Sequence, residues 1–421
     1  MPDVSRRKLI AAAAAITAWP AKSYTRIIGA NDRIQIAQLG CGHRASGHRA
    51  MLKLSAQTDP KFDVRSVCDL WSVNRERAAG EVQRLFGTRP KTFKYSEELL
   101  ADPSLDAVMI GTGDHQHARI LAEVVRAGKD CYCEKPMANT IEDAKLARDT
   151  VRAGKQIVQM GSQWLSCPYQ QQVREIIRGG KLGKIVSISQ SWNFNGPRWH
   201  VPNSADVAAI REQDTDWNRW LLGRPARPFD PRVYFEFRIF KDFSGGITDQ
   251  WYSHGAGLAH FYLDTFVPDE RFQTAAFSRG PTCARTPTRF NASRRLAPSK
   301  CSTPTAPRSA ARMAITPSSA ARKSGWQSNQ IFNLKSGKVQ PEAVTLPGQT
   351  EGASLDQSDN LKAHTGNWLE CMRSRKTPSG HIETGFAHSV AVVMATRSFR
   401  ESKKMFWDRK NEQIVDRAAA L

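Results

Sequence analysis

No apolar run in the 421 residues approaches the roughly 20 that a membrane-spanning helix needs, so no span is expected. The 8 cysteines include no C-x-x-C pair, which leaves a zinc or dithiol site without its ligand spacing, and no metal is expected. Cys41, Cys68, Cys131 and Cys133 fall in or beside apolar strand-like runs, where thiols behave as small buried hydrophobes. Acidic residues are scarce: 40 Asp+Glu stand against 61 Lys+Arg, a net charge of +21. Taken alone, that balance suggests a nucleic-acid or anionic-surface partner. The shortage is local, however. Residues 271–325 carry nine Arg and two Lys with no Asp or Glu, so 11 of the 21 excess charges lie there. Elsewhere acids and bases are interspersed, which argues against a nucleic-acid partner. What is plentiful is core material: 40% apolar residues over this length suffice for two packed domains.

Arg6-Arg7-Lys8 open an Ala-rich apolar stretch that runs to Ala18, with small residues near Ala21. A basic start, about ten apolar residues and a small-residue site describe a secretory signal. The adjacent arginines point to the twin-arginine route and a periplasmic destination. Residues 1–30 are therefore expected to be a signal peptide and linker.

A strand is expected over 33–39, leading into Gly40-Cys41-Gly42-His43-Arg44-Ala45, a G-x-G-x-x-A turn. Its glycines permit a tight bend and let backbone N–H groups approach a pyrophosphate at a helix N-terminus. A second strand, 62–68, ends at Asp69, about where a carboxylate binds ribose hydroxyls; a plain strand-end carboxylate is the alternative. An acid there repels a 2′-phosphate and favours NAD, although nearby Arg75 leaves NADP possible. A buried strand over 105–111 precedes Thr112-Gly113-Asp114-His115-Gln116-His117, whose Thr112, His115 and His117 become candidate cofactor contacts. Helical spacing over 118–127 and 141–153 alternates with strands at 131–133 and 156–160. Such alternation implies a doubly wound parallel sheet over 31–155, with ligand at the strands' carboxyl ends.

These residues, with Glu134-Lys135-Pro136, Gly245-Gly246 through His254, and His364 to Pro378, resemble the Gfo/Idh/MocA oxidoreductase family. The resemblance implies an α/β fold: an N-terminal Rossmann domain, then an α+β domain over 156–421 with a large open, mostly antiparallel sheet. It also implies a homo-oligomer built on that sheet, and C-terminal helices over 360–400 packed back between the domains. Lys135 would hold the reacting hydroxyl, since a cationic nicotinamide disfavours its ammonium, and Glu134 would sit beside the cofactor. His254 would serve as acid/base. The family's Asp-x-x-x-His is one residue longer here, with Gln250 at the usual aspartate position. Asp249 is left either to orient His254 or to cap the following helix. Gln163 stands where relatives begin the substrate loop. Trp199 belongs to a stretch with Trp192, His200, Trp217, Trp220 and Tyr234 whose rings suit a sugar or serve as core.

From about Phe272 to Gly325 strand and helix periods vanish, and Ser, Thr, Ala, Pro and Arg dominate. A disordered basic linker is one reading. Permitted codons offer another. In a phase shifted by two nucleotides, Ala284 to Ala292 can spell RENPDTFQC, and Lys300 to Lys323 can spell VFDSYSTTFGSKNGNHTFIRGKE. Two such runs in one phase, where the resemblance places central strands, imply a compensated frameshift. If the peptide as it stands is the real one, the substrate sheet is expected to lack several central strands and the protein to be poorly folded or inactive. The expected activity is an exported NAD-dependent oxidoreductase acting on a sugar or polyol hydroxyl. The alternatives are an NAD-dependent glycosidase, an inactive pseudo-enzyme and a basic binding protein.

Overall fold

The computed structural model describes residues 33–180, 202–246, 248–264 and 357–416, and the backbone of strands at 185–193, 272–277, 289–295, 312–317, 324–327, 330–335 and 338–342. The expected signal peptide and Trp199 lie outside the described residues.

Six parallel strands form the first layer: β1 (Ile34–Leu39), β2 (Phe62–Cys68), β3 (Lys91–Phe93), β4 (Ala107–Ile110), β5 (Asp130–Glu134) and β6 (Val158–Gly161), in the order β3-β2-β1-β4-β5-β6. β4 and β5 are buried at every residue, as strands covered on both faces must be. The covering helices are α1 (His43–Ser55), α2 (Ser72–Phe86), α3 (Ser96–Leu100), α4 (His117–Arg126) and α5 (Ile141–Ala153). Thr140 caps α5 by accepting from the Asp143 N–H, and Gly128, at φ 77°, ends α4. The strand order reverses between β1 and β4, so their carboxyl ends frame a ligand crevice.

After α6 (Pro168–Arg178), β7 (Ile185–Asn193) enters a second sheet. Short helices α7 (Ser204–Ala209), α8 (Trp217–Leu221) and α9 (Pro231–Glu236) precede a π-helical turn at Thr248–Tyr252 and α10 (Ser253–Leu263). Then come β8 (Phe272–Phe277), β9 (Arg289–Arg295), β10 (Arg312–Pro317), β11 (Ser324–Gln327), β12 (Gln330–Lys335) and β13 (Lys338–Glu342). All pair antiparallel, in the order β13-β12-β11-β10-β7-β9-β8. The expectations of a linker and of missing central strands are corrected here. β7 pairs with β9 on one edge (Trp192 opposite Phe290) and with β10 on the other (Ser189 opposite Ala314). Ladder bonds join backbone groups, so an alternating strand with two open edges recruits neighbours that lack a strand pattern of their own. The rest of 272–325 lies outside the described residues.

Two long helices, α11 (Gln357–Ser374) and α12 (Ile382–Glu401), return to the first sheet, followed by the hairpin β14 (Phe406–Asp408) and β15 (Gln413–Val415). Trp368, Leu369 and Met372 of α11 join Met51, Leu52 and Tyr132 in one core; Phe386, Val390 and Met394 of α12 join Val151 and Met160 in another. No helix among the described residues is long and apolar enough to cross a membrane. The six cysteines among them are buried and unpaired.

Candidate active site

The glycine turn leaves β1 with Gly40 at φ 83°, a left-handed conformation in which a Cβ would also lie 2.7 Å from Thr112. Gly42, the residue before α1, contributes no side-chain cap, the first turn of α1 holds no acid, and a Cβ there would meet open space. The N–H groups opening α1 thus face a cavity of about 900 Å³, which Cys41, His43, Arg44, Asp69 and Thr112 also line. Its size suits a dinucleotide. Thr112 Oγ1, buried at this wall, has no hydrogen-bond partner among the described residues. A positive helix end, an open glycine cradle and an orphaned hydroxyl fit a pyrophosphate and its sugars. Ala45 is buried with its N–H on Gly42, which leaves room for α1 to approach the sheet.

Asp69 stands at the end of β2 with its carboxylate accepting from the Cys41 N–H at 2.7 Å and the Trp71 N–H at 2.9 Å. Burial pushes its pKa up while those donors pull it down. Arg75 turns away: its guanidinium donates to the Asp69 carbonyl at 2.6 Å and the Leu70 carbonyl at 3.0 Å. The residue that left NADP open is therefore held by backbone.

Lys135 follows β5, and its Nζ donates to the Gln250 carbonyl at 2.8 Å and to Gln250 Oε1 at 3.4 Å. Desolvation lowers its pKa to about 8, against the opposing pull of Asp114 and Glu134. Gln250 Nε2 donates to Asp114, and Arg238 Nε donates to Gln250 Oε1 at 3.2 Å. Neutral carbonyls thus hold the amine where an aspartate would have locked it as ammonium.

Glu134 lies behind the lysine. Its Oε1 accepts from Arg44 Nε at 2.7 Å and Gln163 Nε2 at 3.1 Å, and lies 3.0 Å from His48 Nε2. Burial opposes its charge, yet Arg44 and His48 hold its pKa well below the carboxylate range. Arg44 therefore ties the glycine turn to the segment that carries Lys135. Gln163 also donates to the Tyr132 hydroxyl at 2.7 Å, so its amide N–H groups are spent on this network.

His254 opens α10 with its ring 5.3 Å from that of Trp164. Desolvation first, and the Lys135 charge second, hold it neutral with a pKa well below 6.5. Its Nδ1 has no partner among the described residues. A neutral imidazole beside Lys135 can hydrogen-bond a substrate hydroxyl. Asp249 does not reach it: Asp249 Oδ2 accepts from the Gly245 N–H at 2.6 Å and Ser244 Oγ at 3.2 Å, so of the two roles left open it takes neither and closes a turn.

Two expected cofactor contacts face elsewhere. His115 Nε2 lies 3.0 Å from the Trp220 carbonyl, its ring packed among Trp220, Phe237 and Phe243. His117 sits between the carbonyls of Pro136 (2.8 Å) and Thr112 (3.2 Å). Both buried rings brace the cleft walls and do not line the cavity. Trp217 and Trp220 stack at 4.8 Å inside an aromatic core, and Trp220 also reaches the wall of the large cavity. Sequence reasoning passed over Asp114, Arg238 and Trp164. Asp114 was within reach of it, as a carboxylate just past the end of a buried strand. Among the described residues no cluster of His, Cys, Asp or Glu could hold a metal.

Residues 34–162 match the family model described as the oxidoreductase family, NAD-binding Rossmann fold. This NAD-binding domain belongs to the Gfo/Idh/MocA oxidoreductase family. Similar curated proteins include inositol 2-dehydrogenase 2 of Saccharopolyspora erythraea, 28% identical over 45% of this chain and 54% of its own. Levoglucosan dehydrogenase of Pseudarthrobacter phenanthrenivorans is also 28% identical, over 46% of this chain and 52% of its own. The chain thus spans about half the length of the curated relatives it matches. The fold extends further. A Kribbella flavida oxidoreductase domain protein superposes with TM-score 0.62 at 16% identity, covering 89% of this chain and 98% of its own. A levoglucosan dehydrogenase in complex with NADH and levoglucosan gives 0.61 at 15%, over 91% and 99%.

Proposed function

We propose that the protein is an NAD-dependent dehydrogenase that oxidises a secondary hydroxyl of a sugar or cyclitol. The observation that carries this reading is Lys135: a half-buried amine held by the Gln250 carbonyls next to a nucleotide cleft, with its pKa lowered to about 8. Bound NAD would supply the hydride acceptor. It would be held by the N–H groups opening α1, with Thr112 at the cleft wall and Asp69 at its far end. Lys135 takes the hydroxyl proton as an amine, and its charge is then stabilised by Asp114 and Glu134. Neutral His254 orients the same hydroxyl, and Arg238 keeps Gln250 in place. The substrate class rests on the relatives that are inositol and levoglucosan dehydrogenases. Export by the twin-arginine route is part of the proposal and is supported by Arg6-Arg7 and the apolar run after them.

The test is the nucleotide carried by the purified protein, followed by NADH formation across a panel of cyclitols, levoglucosan and free sugars. NAD(H) content with substrate-dependent absorbance at the NADH band is expected. Sugar release from a glycoside without net NADH would overturn the reading in favour of a glycosidase.

A further inference from the structure

A carboxylate stays ionised at 2% exposure only inside a fitted niche, and Glu134 has one. Its partner across the ladder is Gly161 of β6, where a Cβ would lie 2.8 Å from the carboxyl group. Gly161 has no positive φ, so this glycine provides space and not a backbone conformation. Donors fill the rest of the niche. Oε1 takes the Arg44 guanidinium (Nε at 2.7 Å, Nη2 at 2.6 Å), His48 Nε2 at 3.0 Å and Gln163 Nε2 at 3.1 Å. Oε2 takes the main-chain N–H of Lys135 at 3.2 Å. Desolvation lowers the His48 pKa, so the ring is neutral and its single proton belongs on Nε2, against the carboxylate.

Donors on both oxygens admit a carboxylate and no amide. A glutamine has one acceptor oxygen and one NH2 group. With its oxygen turned to Arg44, it would set an N–H against the Lys135 N–H; turned the other way, it would set one against Arg44 and His48. The donors also come from separate elements: Arg44 and His48 from α1, Gln163 from beyond β6. Arg44 lines the nucleotide cavity with 35% of its side chain exposed, so the anchor of Glu134 stands in the wall that faces the pyrophosphate position. The charges around Lys135 are balanced. Asp114 and Glu134 raise its pKa, whereas Arg238 and Arg44 lower it. His254 and His388 are kept neutral by burial, with the Lys135 charge adding to the effect.

We propose that Glu134 is a positioning residue for Lys135, clamped by Arg44 from the nucleotide turn, an inference that rests on the dehydrogenase reading above. Glu134 acts through the main chain: with the Lys135 N–H tied to its carboxylate, the side chain starts from a fixed point and Nζ stays on Gln250. Position is one half of the task and charge is the other. A carboxylate without a counterion beside the lysine would hold it as ammonium, unable to accept a proton. Arg44 offsets that charge from the far side of the niche. The pair thus fixes the lysine without locking its proton, and it does so from the turn that cradles the nucleotide.

Two measurements on the full chain test this. The first needs no turnover: the pH dependence of Lys135 acetylation by trace acetic anhydride, read by mass spectrometry, gives the titration of its amine. Removing each charge is expected to move that titration in opposite directions, Glu134→Gln below the parent's value near pH 8 and Arg44→Gln above it. A site that had merely loosened would admit water and raise both towards the ordinary 10.5. A rise in both variants, or no shift in either, overturns the proposal. In turnover with saturating NAD, E134Q is expected to lower kcat roughly 10- to 100-fold with the polyol KM unchanged, as for a base displaced by about an ångström. An unchanged kcat, or a loss carried by KM, also overturns it. Glu134→Asp keeps the charge and serves if either variant fails to fold: Lys135 should titrate near 8 while kcat falls, and a parental kcat overturns the proposal. If no cyclitol or sugar yields NADH from the unaltered protein, the dehydrogenase reading fails, while the order of the titrations still reports on Glu134 and Arg44. If turnover is normal and the titrations do not separate, the positioning role alone fails.

Discussion

Lys135 is expected to set the pH dependence of the reaction. Its pKa near 8 means that the amine needed to accept a proton grows in as pH rises through that value. Initial rates of polyol oxidation should therefore climb between about pH 7 and 9, and a flat profile would remove Lys135 from the base role. Lys135→Met should lower kcat by about 10²–10⁴ with nucleotide binding retained, measured by steady-state rates and fluorescence titration. Asp249 affects stability with the opposite sense. Its folded pKa of about 7 lies above the unfolded value of 3.8, so the native state binds the proton more tightly. The stability this contributes is complete below the unfolded value and is lost as pH rises towards 7. D249N removes that dependence. Thermal melts should show the variant gaining on the parent as pH goes from 5 to 8, and equal shifts at both pH values would contradict the assignment.

At the scale of elements, the glycine turn has little freedom. Gly40→Ala sets a Cβ 2.7 Å from Thr112 backbone at φ 83°, so β1, β4 and the start of α1 must move apart. Isothermal titration should show weaker NAD binding by at least tenfold, equivalent to about 1.4 kcal/mol; unchanged affinity would mean the turn adapts. These elements were the most legible part of the sequence. Strands at 62–68 and a helix at 141–153 stand where alternation and spacing predict them, because both patterns report burial directly. β3 escaped prediction: it is three residues long, with Lys91 and Thr92 exposed, and has no apolar signature. The catalytic neighbourhood was half legible. Lys135 and His254 were recognisable from residue type and place. The tie between Arg44 and Glu134 crosses 90 residues, and no local pattern encodes it.

At the scale of the whole molecule, residues 272–325 stand apart in composition. Backbone pairing places strands there, but the segment carries eight arginines without one acid, unlike the interspersed charges of the rest of the chain. Resequencing the coding DNA should reveal a compensated shift of phase; an intact single phase would end that explanation. A chain rebuilt in the shifted phase is expected to melt several degrees above this one by calorimetry, and equal midpoints would show that the sheet tolerates the present residues.

The strands of the first sheet other than β3, and the glycine turn, were determined by the sequence alone, because each depends on residues close together in the chain. Periodicity reports which side is buried, and a glycine reports a conformation that other residues avoid. Only the tertiary structure decided the functions of the histidines and carboxylates. His115 and His117 stand in the nucleotide-binding stretch, yet both turn to backbone carbonyls of the cleft walls. Asp249 precedes His254 by five residues but faces another cavity. Hydrogen bonding and desolvation act over a few ångströms of space, so the partner that defines such a side chain lies wherever the fold brings it.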